Sequence, residues 1–526
     1  MPRFQHSPVS TGPGMAPTLC SRCGFRDAVD EGCDPEDELA ELDALLERLR
    51  LKRYDLKRKI NRFHSPIIRQ LPPDVTSTIF EYCLPDFAAN PFFTMALGNL
   101  SYPLSLGAIC SYWRDIAWST PSLWSSLVIR DRNKRDPHII AGVAQEWLAR
   151  SGQLPLSIRI LTFYNETVSA LAVIINRYST RWSHLDLSMP SDCYQHFLAI
   201  DNHAPTLKFI RFDVHSSADA MDLNFQLTCP RLERASLRNF RVNRFNIQWD
   251  NLTHLTLRFM SIIDSFLILR MTPRLVFCKV TGDDIEYIRQ NIGAPIILTS
   301  LGSLHLLTNL AEDFLNTIIA PRLEELSLPD FYYNPSMEVI TSFLRRSACS
   351  LRSFSMAFLN FPPHFERFTN FFRSINALSI ISETETKNYA SPEDYDLWNI
   401  LQFVAKVLSS QSTSLQQGLL PNLKILEYTG KLHLPVGNLD ALVYTLPPSD
   451  SAVHGPLHLF KLDLHPITRV PKKMMSYFSS LEERGVTVNV TSKSKDILQS
   501  SIDYYRRREE SLRRDWVDNL DPSLFS

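Results

Sequence analysis

Residues 230–258 read PRLERASLRNFRVNRFNIQWDNLTHLTLR. One short pattern, L-x-x-L-x-L, occurs twice in this stretch: Leu232, Ala235 and Leu237, then Leu252, Leu255 and Leu257. The last two apolar positions of each copy are two residues apart. That is the period of a strand, whose alternate side chains point to opposite faces. The pattern extends both ways along the chain. Before the quoted stretch come Trp182, Leu185, Leu187 and Leu207, Ile210, Phe212. After it come Leu275, Cys278, Val280; Leu301, Leu304, Leu306; Leu323, Leu326, Leu328; Leu351, Phe354, Met356; and Ile375, Leu378, Ile380. Beyond a gap stand Leu423, Leu426, Tyr428 and Leu459, Leu462, Leu464.

Up to the gap, successive copies are 20 to 28 residues apart, and Pro-Arg-Leu or Pro-Asn-Leu opens those at Pro230, Pro273, Pro321 and Pro421. The pattern resembles leucine-rich repeats, in which each unit supplies a short parallel strand and a return helix or loop, and stacking makes the core. The expectation is an α/β chain: an N-terminal helical segment and an all-α module, then an irregular leucine-rich-repeat solenoid over 182–492. Segments 262–269 and 339–344 read as return helices. The usual Asn after the last Leu is missing, which implies irregular curvature. A generic α/β domain with buried strands is the other reading. The gap 382–420 reads as an insertion, a helix over 397–408 followed by a polar loop SSQSTSLQQG. Residues 131–181 read as a cap, and 493–526 as a charged C-terminal helix.

Strand alternation turns the residues between the apolar positions to the concave face of such a solenoid. In repeats two to five that face carries Arg211, Arg234, Arg238, Arg258 and Lys279, with His254 joining at low pH. In a chain of net charge −1 this excess of cations suits an acidic or phosphorylated protein segment, because Arg forks bind phosphate and carboxylate bidentately. The other reading is surface charge paired locally with Asp and Glu.

Residues 71–129 carry a second signature. Leu71-Pro72-Pro73 is an extended stop, Asp74 can cap a helix, and Val75, Ile79 and Tyr82 or Cys83 follow at helical spacing. A second helix carries Leu106, Ile109, Cys110, Trp113, Ile116 and Ala117 and ends at Thr120-Pro121. The LPP start combined with C-x-x-W-R-x-I-A-x-x-T-P-x-L-W resembles an F-box, here 66–130, with a longer inter-helix region (85–103) like that of a class of fungal F-box proteins. The resemblance implies binding to the Skp adaptor, and through it to the cullin of an SCF-type ubiquitin ligase. It carries over Leu71, Pro72, Pro73, Ile79, Cys110, Trp113 and Ile116 as adaptor-facing or module-core residues.

Just before this module, Leu39, Leu42, Leu46, Leu49, Arg53, Leu56, Ile60 and Phe63 step by alternating threes and fours. Asp34 and Pro35 are a helix start, so 34–64 reads as a heptad helix. It either dimerises the chain, braces the module, or packs as a single amphipathic helix on its own domain. Residues 1–33 are rich in Pro, Ser and Gly and read as disordered. Cys20 and Cys23 form a C-x-x-C without a second pair, so no structural zinc is expected, a half-site completed by a partner being the alternative.

The composition, 44% hydrophobic and 21% charged, is that of an ordinary globular protein. The near-zero net charge points to neither nucleic acid nor membrane. No long apolar run or signal-peptide core is present, so a cytoplasmic or nuclear location is expected, with the nine cysteines reduced. The C-terminal YYRRREESLRRDW mixes both charges and reads as a solvated helix. No Gly-rich phosphate loop, G-x-S-x-G or H-E-x-x-H occurs, so neither a cofactor nor a catalytic site is expected. The reading is a substrate-recognition subunit of a ubiquitin ligase; the alternative is a leucine-rich interaction scaffold without that role.

Overall fold

A strand that buries every second residue on one face must be covered there, and a parallel neighbour needs a crossover long enough to return the chain. Both demands are met in the computed structural model, which describes residues 35–64, 70–84, 102–131, 134–197, 203–215, 225–282, 294–328, 335–357, 371–381, 396–413, 420–430, 457–464, 467–492 and 495–518. The chain divides into two compact units between Leu123 and Trp124.

The first unit is helical: α1 (Pro35–His64), α2 (Pro73–Tyr82), α3 (Tyr102–Ile109) and α4 (Ser111–Ser119). Pro73 opens α2 because a first-turn residue needs no N–H partner, and Pro72 before it is extended (φ −58°, ψ 151°). Asp74 is therefore not the cap that the sequence suggests. It lies inside the first turn, favoured by the positive end of the helix dipole, and its carbonyl accepts from the Ser77 and Thr78 hydroxyls at 2.8 Å each. The expected second helix is two helices. The chain breaks at Cys110, which is extended (φ −158°, ψ 166°) and caps α4, its Sγ accepting from the Trp113 N–H at 3.4 Å. Arg114 Nε donates to the Gly107 carbonyl at 2.8 Å and ties the two pieces together. A side chain at Gly107 would run into the Trp118 ring. Thr120 ends α4 in an extended conformation, as a residue before proline must. Phe80, Leu106, Ile116, Ala117 and Leu123 are buried, and the Phe80 and Trp113 rings meet at 4.9 Å.

In α1 every residue from 37 to 60 is exposed, so over this span the helix is not packed on its own domain.

Among the described residues, the second unit is built on one sheet of fifteen strands. It begins with β1 (Ser126–Asp131), β2 (Leu156–Thr162), β3 (Trp182–Pro190) and β4 (Phe209–His215). β5 (Phe225–Leu227) pairs apart from it with β7 (Phe245–Ile247), while β6 (Arg234–Arg238), β8 (His254–Arg258) and β9 (Phe277–Thr281) continue it. Another separate pair is β10 (Ile296–Ile297) with β12 (Ile318–Ile319). The large sheet goes on through β11 (Ser303–Leu307), β13 (Glu325–Leu328), β14 (Ser353–Ala357), β15 (Ala377–Ile381) and β16 (Ile425–Gly430). It closes with β17 (Leu459–Leu464), β18 (Thr487–Ser492) and β19 (Lys495–Asp496). Its strands lie in chain order, and all pair in parallel except β18 with β19.

Register aligns the middle position of the pattern from strand to strand: Leu185, Ile210, Ala235, Leu255, Cys278 and Leu304, then Leu326, Phe354, Leu378, Leu426, Phe460 and Val488. All twelve are buried. The last copy is shifted from the sequence reading. Leu457, Phe460 and Leu462 face the core, whereas Leu459 lies half-exposed on the other side. The pairing sets the pattern two residues earlier: Phe460, not Leu462, takes the middle position opposite Leu426, so Leu462 and Leu464 stay inside and Leu459 falls on the other face. The sheet also starts earlier than Trp182, since β1 and β2 belong to it.

Helices supply crossovers at Pro137–Arg150, Asn165–Ile175, Ile262–Arg270, Met337–Ser347, Asp396–Thr413 and Lys472–Glu482. The third and fourth match the expected return helices, and Ser261 and Ser336 cap them through their side chains. Asp396–Thr413 extends through the SSQST that the sequence suggested as loop. The charged C-terminal helix runs over Leu498–Asp518.

Asn239, Phe259 and Gly282 each follow a strand directly in the left-handed region, with φ of 49°, 49° and 87°. Their N–H groups donate to Arg258, Thr281 and Leu307 carbonyls of the next strand at 3.0, 2.9 and 3.0 Å, so the turn extends the ladder by one bond. Only glycine adopts this conformation without strain, and a Cβ at Gly282 would stand 2.6 Å from the Phe259 ring. Gly282→Ala should lose about 1–2 kcal/mol of stability in chemical denaturation. Gly302→Ala, whose Cβ would meet only the Val276 carbonyl at 3.8 Å, should stay near wild type.

Candidate functional site

Two surfaces qualify, one in each unit. In the first, the apolar residues that the sequence places on one face of α2 are on its outer face. Val75, Ile79 and Tyr82 are 43%, 45% and 87% exposed, while Thr76 and Phe80 are turned inward. Leu104 and Ile109 of α3 are exposed as well. Of the residues singled out from sequence, Pro72, Pro73 and Ile79 are exposed, and Leu71, Cys110 and Trp113 are half-buried. Ile116 is buried in the helical core. Ile79 is thus available to a partner and Ile116 is a packing residue. Trp113 is partly engaged by Phe80 within its own unit.

In the second unit, the sheet face opposite the core carries the expected cations. Register brings Arg159, Asp186, Arg211, Ser236, Thr256 and Lys279 into one row across six adjacent strands. A row two residues further on holds Ser188, Asp213, Arg238 and Arg258. Adjacent strands are about 4.8 Å apart, so these charges interact directly. Arg159 Nε donates to Asp186 Oδ2 at 2.5 Å, and Arg211 Nε lies 4.0 Å from Oδ1 of the same carboxylate. Arg238 donates to Asp213 at 3.2 Å and covers the Phe259 ring at 5.1 Å. Burial first, then Arg211 and Arg238, lower the Arg258 pKa, and Asp213 opposes them. Burial pushes the Asp186 carboxyl above its usual range, against the pull of Arg159 and Arg211.

The local-pairing reading therefore holds for Arg211 and Arg238, each of which has an aspartate. Among the described residues of these two rows, four guanidiniums (Arg159, Arg211, Arg238, Arg258) stand beside two carboxylates (Asp186, Asp213), on a half-buried surface where screening by water is reduced. Arg234 lies at the rim, exposed, in the row of His254 and Phe277. Lys279 lies in the row of His305, beside the His305–Glu325 pair.

Sequence reasoning missed Arg159 and Asp186. The alternation rule that picked Arg211 would have picked Asp186 between Leu185 and Leu187 and Arg159 between Ile158 and Ile160, had it been applied one and two strands earlier.

Burial pushes the Cys229 and Cys278 thiols up to about 12 and Cys193 to about 11, so none of these three is a thiolate at neutral pH. Among the described residues no group of three His, Cys, Asp or Glu can hold a metal ion, and Cys20 and Cys23 lie outside the described residues. No described helix is long and apolar enough to cross a membrane.

Three histidines on the charged face, His215, His254 and His305, have pKa values lowered from 6.5, burial being the first cause in each. Arg234 adds to the effect at His254 and Lys279 at His305. His254 thus joins the cations only at a pH below its ordinary range. The unfolded chain binds protons at these sites at a higher pH than the folded chain, so stability falls as pH drops through 6.5. The melting temperature should be lower at about pH 5.5 than at about pH 7.5, and His254→Gln with His305→Gln should reduce that difference.

Comparison with models of known protein families finds no match, and comparison with curated proteins finds no significant one either.

Proposed function

We propose that the chain is a substrate-recognition subunit of an SCF-type ubiquitin ligase, in which an F-box grips the Skp adaptor and a leucine-rich solenoid holds the target. The observation that carries the adaptor half is the Val75–Ile79–Tyr82 stripe. It follows directly on Leu71-Pro72-Pro73 and leaves apolar side chains exposed on a helix whose opposite face already serves the core. Surface of this kind is stabilised by a partner. A solenoid is supported by the strands lying in chain order, each from β1 to β17 paired in parallel with the next along the sheet. Catalysis by such a subunit is positioning: target and ubiquitin-charged enzyme are held together by a scaffold that adds no chemistry of its own.

The target end is the cationic face. With four guanidiniums around two aspartates, an incoming phosphate or carboxylate takes its place among them as a further counter-ion. An acidic or phosphorylated segment of a protein is the matching ligand. The second reading, an interaction scaffold that binds targets without their ubiquitylation, uses the same face and is separated by target turnover.

Two experiments test the two halves. In a pull-down with purified Skp adaptor, wild type should be captured, and Val75→Asp with Ile79→Asp should lose capture at least tenfold while keeping its circular dichroism. Equal capture by both refutes the adaptor reading. Because both changed residues are exposed, this pair is a cleaner probe than Trp113→Ala, which also removes the Phe80 contact. For the target face, Asp213→Asn should tighten binding of a phosphoserine peptide in fluorescence anisotropy, since it removes a competing counter-ion. Arg211→Glu with Arg238→Glu should abolish binding. A weaker Asp213→Asn, or an unaffected double variant, counts against the site.

A further inference from the structure

The α1 helix is thirty residues long, about 45 Å. Its seam residues Leu39, Leu42, Leu46, Leu49, Leu56 and Ile60 are between 51% and 59% exposed. Six leucine and isoleucine side chains at heptad spacing, each half in water, are a face that lacks its cover. The charges of the helix are segregated along its length. Residues 36–47 contain six acidic and no basic side chains, and residues 48–64 contain eight basic and one acidic.

We propose that α1 of a second copy of this chain covers the seam, running antiparallel. The segregation decides both occupant and direction. A parallel, in-register pair would lay acidic half on acidic half and basic half on basic half, with like charges flanking the seam at Glu38 and Asp43 and at Lys52 and Lys57. An antiparallel pair lays each acidic half on a basic one, so the helix is its own complement. The heptad phase permits this with the dyad at Leu51. Leu42 then meets Ile60 of the second copy, Leu46 meets Leu56, and Leu49 meets Arg53. Asp43 flanks Lys57 of the second copy across the seam.

Arg53 is the one polar seam residue, and it falls in the layer nearest the dyad. Its aliphatic stem can pack on Leu49 of the other helix while its head reaches water. A polar residue at one such layer fixes register at a cost in stability. The dyad also brings Arg50 and Lys52 each together with its copy, on opposite sides of the seam, and Glu47, 3.3 Å from Arg50 within the same helix, offsets the first of these repulsions. The pairing is independent of the adaptor and target surfaces, so its failure leaves those readings untouched.

The test uses the full chain. Light scattering coupled to size exclusion, over roughly 1–50 µM, a range wide enough for typical Kd values, should give twice the monomer mass for wild type. Leu46→Lys with Leu49→Lys should give the monomer, with unchanged circular dichroism because both side chains are exposed. A wild-type monomer throughout this range overturns the proposal and leaves the seam to a different chain. A dimer that survives both lysines overturns the assignment to α1. Direction is read from Leu42→Cys with Ile60→Cys, oxidised and mapped by peptide mass spectrometry. The two sites are about 27 Å apart in one helix, so a 42–60 disulfide peptide can come only from antiparallel copies and is expected. Linked 42–42 and 60–60 peptides would instead mean a parallel pair and overturn the orientation.

Discussion

The second unit depends on one constraint, the in-register stacking of buried side chains across the parallel sheet. From Leu185 to Val488 the same position of each strand faces inward, and each residue is covered by those of the strands on either side. No single strand of five or six residues could bury its apolar face alone. Burying a Leu or Phe here contributes about 1.5–3 kcal/mol, and loss of one leaves a cavity its neighbours cannot fill. Stability along the sheet is accordingly a property of neighbouring strand pairs more than of individual strands.

The same register shapes the outer face. Parallel strands place residues of equal offset side by side, so one charged residue per strand becomes a continuous row. Arg159, Asp186 and Arg211 form such a row, and Asp213, Arg238 and Arg258 another. Like charges are forced together at Arg238 and Arg258, and the aspartates offset part of that repulsion. On the proposed reading, a half-buried row that carries more cations than anions would suit an anionic ligand, because the repulsion is already built into the fold and a ligand would relieve it.

The helical unit follows a different logic. Its short helices split the apolar residues between an inner set, Phe80, Leu106, Ile116 and Ala117, and an outer set, Val75, Ile79 and Tyr82. In α2 the two sets are interleaved by single residues, so a rotation of about 100° per residue separates core from surface. The α1 helix goes further and keeps its whole described seam outside.

The sequence by itself determined the strands. The two-residue period of L-x-x-L-x-L, repeated every 20 to 28 residues, placed the buried positions of nearly every copy, because alternation is a local property of extended chain. It also located the return helices at 262–269 and 339–344 and put Arg211, Arg234, Arg238, Arg258 and Lys279 on one face. Tertiary structure alone decided the rest. Leu457 and Phe460 join Leu462 and Leu464 in the core while Leu459 does not, because pairing of Phe460 with Leu426 sets the register two residues earlier than the pattern suggests. β1 and β2 join the sheet although they lack the full pattern, because an edge of β3 was available to pair. The break at Cys110 reflects a cap and an Arg114–Gly107 bond that periodicity does not encode. That the apolar stripe of α2 faces out, and that Asp186 and Asp213 neutralise part of the cationic row, are relations between distant segments. A one-dimensional pattern carries the period of a helix or strand, but which face its neighbours cover is set only when those neighbours arrive.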